Sequence, residues 1–234
     1  MRFRLPAHGL TSNTLIALVA VFLAASGNLS FFGKVLTAYP LATGNALALA
    51  SLAAMLVGST LLLLALTCFG RTTKPVLIGI LLLASLAAHF MDSYGVVIND
   101  DMLQNAAQTN LAEAGDLLNF RLLGYFVMLG VLPAIAIARL PLRWRGIRVE
   151  AIARGKLLAA VVLLMVGTVL AFGGFYASFL REHKSLRSYA NPGYFIYSAI
   201  KYSTGSLAVK SRQVLTSIGA DAQIPASDVE RELF

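Results

Sequence analysis

Five stretches, residues 13–32, 46–69, 75–91, 122–140 and 157–179, each run close to the ~20 residues needed to cross a ~30 Å hydrocarbon core. Arg139 is the one charged residue among them. Runs of this length separate membrane helices from the shorter apolar strands of soluble cores. Composition agrees: 58% of the 234 residues are hydrophobic and 13% charged, against roughly a quarter charged in soluble domains. Lipid is the solvent, and the expected fold is an all-α polytopic membrane protein with five transmembrane helices. The first run contains the small residues Ala24, Ala25, Ser26 and Gly27, which resemble a signal-peptide cleavage region. It continues through Leu29, Phe31 and Phe32, as an uncleaved anchor does.

The net charge of +8 would point to nucleic acid in a soluble chain, so where the charges lie decides their meaning. Arg2, Arg4, Arg71, Lys74, Arg139, Arg143, Arg145, Arg148, Arg154 and Lys156 all fall on one side of the predicted spans, with Glu150 the acid among them. The opposite loop, residues 92–119, has no Lys or Arg but carries Asp92, Asp100, Asp101, Glu113 and Asp116. The positive-inside rule then makes the N-terminus cytoplasmic and the C-terminus, after five crossings, external. No nucleic-acid partner is needed to explain the basic excess. The single cysteine, Cys68, excludes an intrachain disulfide and a Cys-rich metal site.

Pattern within the outer loop predicts a short interfacial helix between spans three and four. Asp101 is placed to cap it, with Gln104 three residues on. Leu103, Ala107, Leu111, Ala114 and Leu118 share one sector, and Asn105, Thr109 and Glu113 the opposite one. The second set forms a polar stripe about 12 Å long offering an amide, a hydroxyl and a carboxylate. It suits a headgroup bearing an ammonium. The solvated face of an interfacial helix has the same pattern, and pattern alone favours that plainer reading. Asn28, His89, Asp92 and Tyr94 lie near outer span ends, where headgroup contact and interface anchoring compete as explanations. His89 and Asp92 stand at i and i+3, a spacing that permits a hydrogen bond, but two residues do not make a metal site. Arg187, in Leu186-Arg187-Ser188-Tyr189-Ala190-Asn191-Pro192, carries a guanidinium fork able to hold phosphate or carboxylate, with anionic-lipid contact the alternative. Pro133 is expected to kink span four, and Gly167, Gly173 and Gly174 to allow close helix approach in span five.

Beyond residue 179 the chain becomes polar. A short surface helix is expected over residues 194–209, followed by an Ala-, Ser- and Asp-rich linker. Residues 1–202 are thus read as the transmembrane domain and 203–234 as a linker.

The ordered set Asn28-Leu29-Ser30-Phe31-Phe32, Tyr39-Pro40, Asp92-Ser93-Tyr94-Gly95, Met102-Leu103-Gln104-Asn105, Thr109, Glu113 and His183-Lys184-Ser185-Leu186-Arg187-Ser188-Tyr189-Ala190-Asn191-Pro192 resembles the membrane domain of lipid A phosphoethanolamine transferases. That group includes the mobile colistin-resistance enzymes. Ser185 stands where such proteins often have proline. The resemblance implies a bacterial inner-membrane protein whose C-terminus is periplasmic, with phosphatidylethanolamine as donor and lipid A as acceptor. It implies headgroup contact at Asn105, Thr109 and Glu113, reversing the preference from pattern alone, with Tyr94 and Arg187 as further candidates. It places the threonine nucleophile and the zinc in a soluble domain outside this chain, so the chain binds no cofactor and is expected to be inactive alone. A non-enzymatic membrane scaffold or transporter subunit, or the same chemistry on another glycan, are the alternatives.

Overall fold

A computed structural model describes residues 9–41, 44–108, 115, 118–143 and 146–210. The described residues are helical throughout, apart from turns and an isolated bridge between Leu10 and Leu142. In chain order the helices are α1 (Ser12–Ser26), α2 (Leu29–Ala38), α3 (Ala46–Thr67), α4 (Thr73–Tyr94), α5 (Asp100–Gln108), α6 (Phe120–Arg139), α7 (Ile147–Ala171), α8 (Gly173–Glu182) and α9 (Gly193–Lys210). A 3-10 turn, Leu186–Tyr189, joins the last two. Four helices are long and apolar enough to cross a membrane, and five spans result when the bent pair α1 and α2 counts as one.

Span one is therefore not a single straight helix. Its halves meet at 56°, because Asn28 turns its side chain away from capping α2. Asn28 Nδ2 donates to the carbonyls of Leu23 (2.9 Å) and Asn191 (2.8 Å), and its Oδ1 accepts from the Asn191 amide at 2.8 Å. Asn191 Nδ2 in turn donates to Gly27 O (3.0 Å) and Ala84 O (2.9 Å). Both asparagines are buried, where an unpaired amide would be costly, so the break is held by these bonds, with Asn191 Oδ1 alone of the two side chains' polar atoms finding no donor among the described residues. Gly27 admits this approach: a Cβ there would lie 3.3 Å from Asn191 Nδ2.

Span five also differs from expectation. Its helix begins at Ile147 rather than near 157 and takes Arg148, Glu150, Arg154 and Lys156 into its first turns. Arg154 is buried because its partners are already there: Nε donates to Asn13 Oδ1 at 2.7 Å, and Nη1 to the α3-end carbonyls Ala65 (3.0 Å) and Cys68 (2.8 Å). A guanidinium supplies several donors in one plane, so one side chain caps α3 and tethers α1 to α7.

Pro133 acts by a different distortion than a simple kink. It has no N–H for the Leu129 carbonyl, and the ladder just before it widens into a π-helical stretch, Phe126–Val131. Nothing lies within 4 Å of a Cβ built on Gly167, Gly173 or Gly174, so these glycines mediate no close contact. Tight approaches between spans fall at Gly58 and Gly130, where a Cβ would lie 3.1 Å from Met165 Cγ and 2.6 Å from Ser85 Oγ. They join α3 to α7 and α4 to α6.

The bundle has a basic end, where α1 and α4 begin and α3 and α6 finish, and an acidic end carrying α2, α5, α8 and α9. An apolar core of Ile16, Leu23, Leu64, Leu77, Leu81 and Ile137 fills α1, α3, α4 and α6 toward the basic end. A second, around Phe31, Val35, Leu56, Tyr176 and Phe179, seats α2 and α8 against α3. Helix α9 covers residues 193–210, near the expected 194–209. It packs on α5 and is fastened by Lys201 Nζ to Asp100 Oδ2 at 2.6 Å.

Candidate functional site at the acidic end

Asp92, at the last turn of α4, organises this end. Its Oδ1 accepts from Ser30 N (2.9 Å) and Ser30 Oγ (2.6 Å), and its Oδ2 from Tyr125 OH (3.2 Å). A carboxylate at the start of α2 satisfies a free N–H and favours the positive end of that helix. It supplies the cap that Asn28 does not. One carboxylate thus pins α2 and α6 to α4.

His89 is fully buried one turn below, but the bond to Asp92 that its spacing permits does not form. Its Nδ1 lies 3.2 Å from Ser93 Oγ, and its ring meets Tyr94 and Tyr125 edge-on at 5.8 and 5.5 Å. The i, i+4 serine faces the ring nitrogen more directly than the i+3 carboxylate, which neighbouring helices have claimed.

Tyr94, a candidate from sequence, is half-exposed. Asn119 Nδ2 donates to its hydroxyl at 3.3 Å, while Asn119 Oδ1 caps α6 through Leu122 N at 2.7 Å. Asn119 borders an apolar cavity of about 530 Å³ walled by Leu86, Phe120, Leu123 and Phe126. On the other side of α4, Tyr189 OH donates to Gly95 O at 2.7 Å. That bond brings the turn carrying Arg187 to the chain beside Tyr94. Arg187 itself is exposed. Asn105 is exposed on α5, whereas Thr109 and Glu113 lie outside the described residues.

The cap of α5 differs from the sequence reading. Asn99 Oδ1 accepts from Met102 N at 2.9 Å, so Asn99 caps and Asp101 sits in the first turn. The earlier start agrees with the extended chain before Asn99 and leaves no capping box with Gln104. Of the expected apolar sector, Leu103 packs with Met102 against Ala87, Met91 and Ile98, while Ala107 and Leu118 are exposed.

Sequence reading missed two cations at this end. Lys34 Nζ stands 4.7 Å above the Tyr189 ring, and the Arg121 guanidinium 6.0 Å from the Tyr125 ring. Both positions are readable as lone basic residues on the acidic side, but only the fold shows them held over aromatic faces. Among the described residues no group of three His, Cys, Asp or Glu side chains is placed to hold a metal. The zinc implied by resemblance has no fitting ligand set in these residues.

Fold and site together define a polytopic α-helical membrane domain that gathers polar side chains and an apolar groove at one end of its bundle. Residues 56–207 match the family described as Phosphoethanolamine transferase EptA/EptB, and the chain belongs to that family. It is 40% identical over 191 residues to Phosphatidylethanolamine transferase Mcr-1 of Escherichia coli, covering 81% of this chain and 35% of that protein. It is 28% identical over 210 residues to Phosphoethanolamine transferase EptA of Escherichia coli (strain K12), covering 88% and 38% respectively. Among solved structures, the integral membrane protein lipooligosaccharide phosphoethanolamine transferase A (EptA) from Neisseria meningitidis superposes with a TM-score of 0.81 at 26% identity, over 86% of this chain and 38% of that one. The chain spans about a third of the length of these relatives and corresponds to their membrane-domain portion.

Proposed function

We propose that this chain anchors a phosphoethanolamine transferase in the bacterial inner membrane and binds its donor, phosphatidylethanolamine, at the acidic end, for transfer to lipid A. The observation that carries the reading is the apolar groove lined by Asn119, whose side chain also bonds Tyr94, at the same end of the bundle as α5, which bears Asn105. A phospholipid needs such an arrangement: apolar walls for acyl carbons and polar groups at the rim for the headgroup. Glu113 pairs with the donor ammonium, and Asn105 and Thr109 hydrogen-bond the phosphate or glycerol oxygens. Arg187 and Tyr94 serve the phosphate from the side facing the 3-10 turn. The basic end is cytoplasmic and the acidic end periplasmic, which puts the donor on the side where lipid A is modified.

The covalent steps belong to the portion of the transferase outside these residues, which also supplies zinc. The membrane domain contributes positioning and desolvation of the donor. The purified 234-residue chain is therefore expected to transfer no phosphoethanolamine, and transfer by it would refute this division.

The test is mass spectrometry of lipid A from cells producing the full-length transferase with Asn105, Thr109 or Glu113 changed to alanine. Loss of a charge-assisted contact predicts about a tenfold or greater fall in added phosphoethanolamine for Glu113→Ala, with smaller falls for the other two. Unchanged transfer in all three would remove the stripe from the donor site. Phosphoethanolamine on another glycan instead of lipid A would replace the acceptor.

A further inference from the structure

The opposite end of the bundle has a cavity that donor binding does not use. It measures about 740 Å³ and lies between the turn after α3 and the first turns of α7. That volume is within the range of small-molecule and lipid sites. Its walls are graded. Phe69, Ile147 and Leu158 supply apolar surface, while Arg71, Glu150 and Arg154 supply the charged groups.

Two features make this a shaped site. Arg154, although buried, commits only Nε and Nη1 to Asn13, Ala65 and Cys68, and its Nη2 amine takes no acceptor among the described residues. Gly155 lies in the helix beside it, with nothing within 4 Å of a built Cβ. Glycine weakens a helix interior by roughly 1 kcal/mol relative to alanine. Here it leaves the cavity wall open where a larger residue would fill it.

Charge identifies the occupant. Arg71 and Arg154 outnumber Glu150, whose Oε1 lies 3.4 Å from Ser12 Oγ, and Arg148 and Lys156 add charge on the same helix. A zwitterionic headgroup gains little from this field, whereas an anionic phosphodiester joined to acyl chains meets both requirements. We propose that this cavity binds an acidic phospholipid of the phosphatidylglycerol class, with its phosphate between Arg71 and the free amine of Arg154 and an acyl chain against Phe69, Ile147 and Leu158. The site is separate from the donor site in position and in headgroup charge. It fastens α7 to α3 from the lipid side.

The test is native mass spectrometry of the full chain released from nanodiscs containing phosphatidylglycerol or phosphatidylcholine, with identical acyl chains. Nanodisc leaflets are alike, so the result does not depend on membrane orientation. Phosphatidylglycerol should be retained at least about fivefold more than phosphatidylcholine, the scale of one basic residue at a membrane surface. Arg71→Ala and Gly155→Leu should each abolish that preference, and Arg148→Ala should leave most of it. Gly155→Leu favours the helix, so its effect would not reflect unfolding; circular dichroism checks this. Equal retention of phosphatidylglycerol and phosphatidylcholine overturns the proposal. So does a preference that survives both Arg71→Ala and Gly155→Leu, or one that Arg148→Ala removes as completely as they do.

Discussion

The α4 span, taken with its preceding turn as Gly70–Tyr94, and α7 are both 25 residues long with the same mean hydropathy, yet they occupy different environments. In their most apolar 18-residue stretches, 44% of the first is buried by protein and 11% of the second. Helix α4 buries small and polar residues, Thr73, Ala84, Ser85, Ala88 and His89, together with Leu77 and Leu81. Helix α7 leaves Leu163 and Leu170 more than 70% exposed. Hydropathy reports preference for a non-aqueous solvent, but small residues and satisfied polar groups mark where helix meets helix. Helix α4 is the post on which the acidic-end site is built; α7 is a lipid-facing wall with a structured foot.

The largest effect should come from the polar joint that steadies α4. Asn28→Ala removes three hydrogen bonds and leaves the buried Asn191 amide without its acceptor. A loss of about 3 kcal/mol is expected in reversible denaturation from mixed micelles. A loss below about 1 kcal/mol would mean that α4 does not depend on the joint. Next is Gly130→Leu. A Cβ at Gly130 would already sit 2.6 Å from Ser85 Oγ, so α6 must move off α4, costing about 2 kcal/mol in the same assay.

On α7 the contrast should appear as near silence. Leu163→Ala and Leu170→Ala should each change stability by less than about 0.5 kcal/mol. A cost above about 1.5 kcal/mol would show that this face is packed by protein and erase the comparison.

The smallest effect is electrostatic, at the α5 and α9 contact. The Lys201 ammonium holds the Asp100 carboxyl below its usual 3.8, and the carboxylate holds Lys201 above its usual 10.5. The lowered acid contributes above 3.8 and is lost as pH falls through its depressed value; the raised base contributes below 10.5 and is lost as pH rises through its elevated value. Protection of α5 amides, corrected for intrinsic exchange, should therefore stay flat from about pH 5 to 9 and fall only beyond, and by little, because the pair is exposed. A slope near neutrality would point to another group.

Much of the architecture was legible because an uninterrupted apolar run leaves the backbone few choices in lipid. Spans two and three were placed within a few residues of α3 and α4. The misreadings share a cause. Asn28 breaks span one through a partner 163 positions away, and Arg154 enters span five because Asn13 and two α3 carbonyls receive it. Neither partner is visible in a local window. At the site, Tyr94 and Asn105 could be singled out from the residues around them. Ser30, Lys34 and Tyr125 acquire meaning only when three helices converge on Asp92 and the 3-10 turn comes up beside them.

The proposed donor binding at the acidic end can be measured on this chain without the rest of a transferase. Phosphatidylethanolamine retained by the purified chain should be compared, by native mass spectrometry, with that retained by the Asn105→Ala, Thr109→Ala, Glu113→Ala triple variant. At least about a tenfold loss is expected for the variant, with phosphatidylglycerol retention unchanged. Equal retention of phosphatidylethanolamine by both proteins would contradict it.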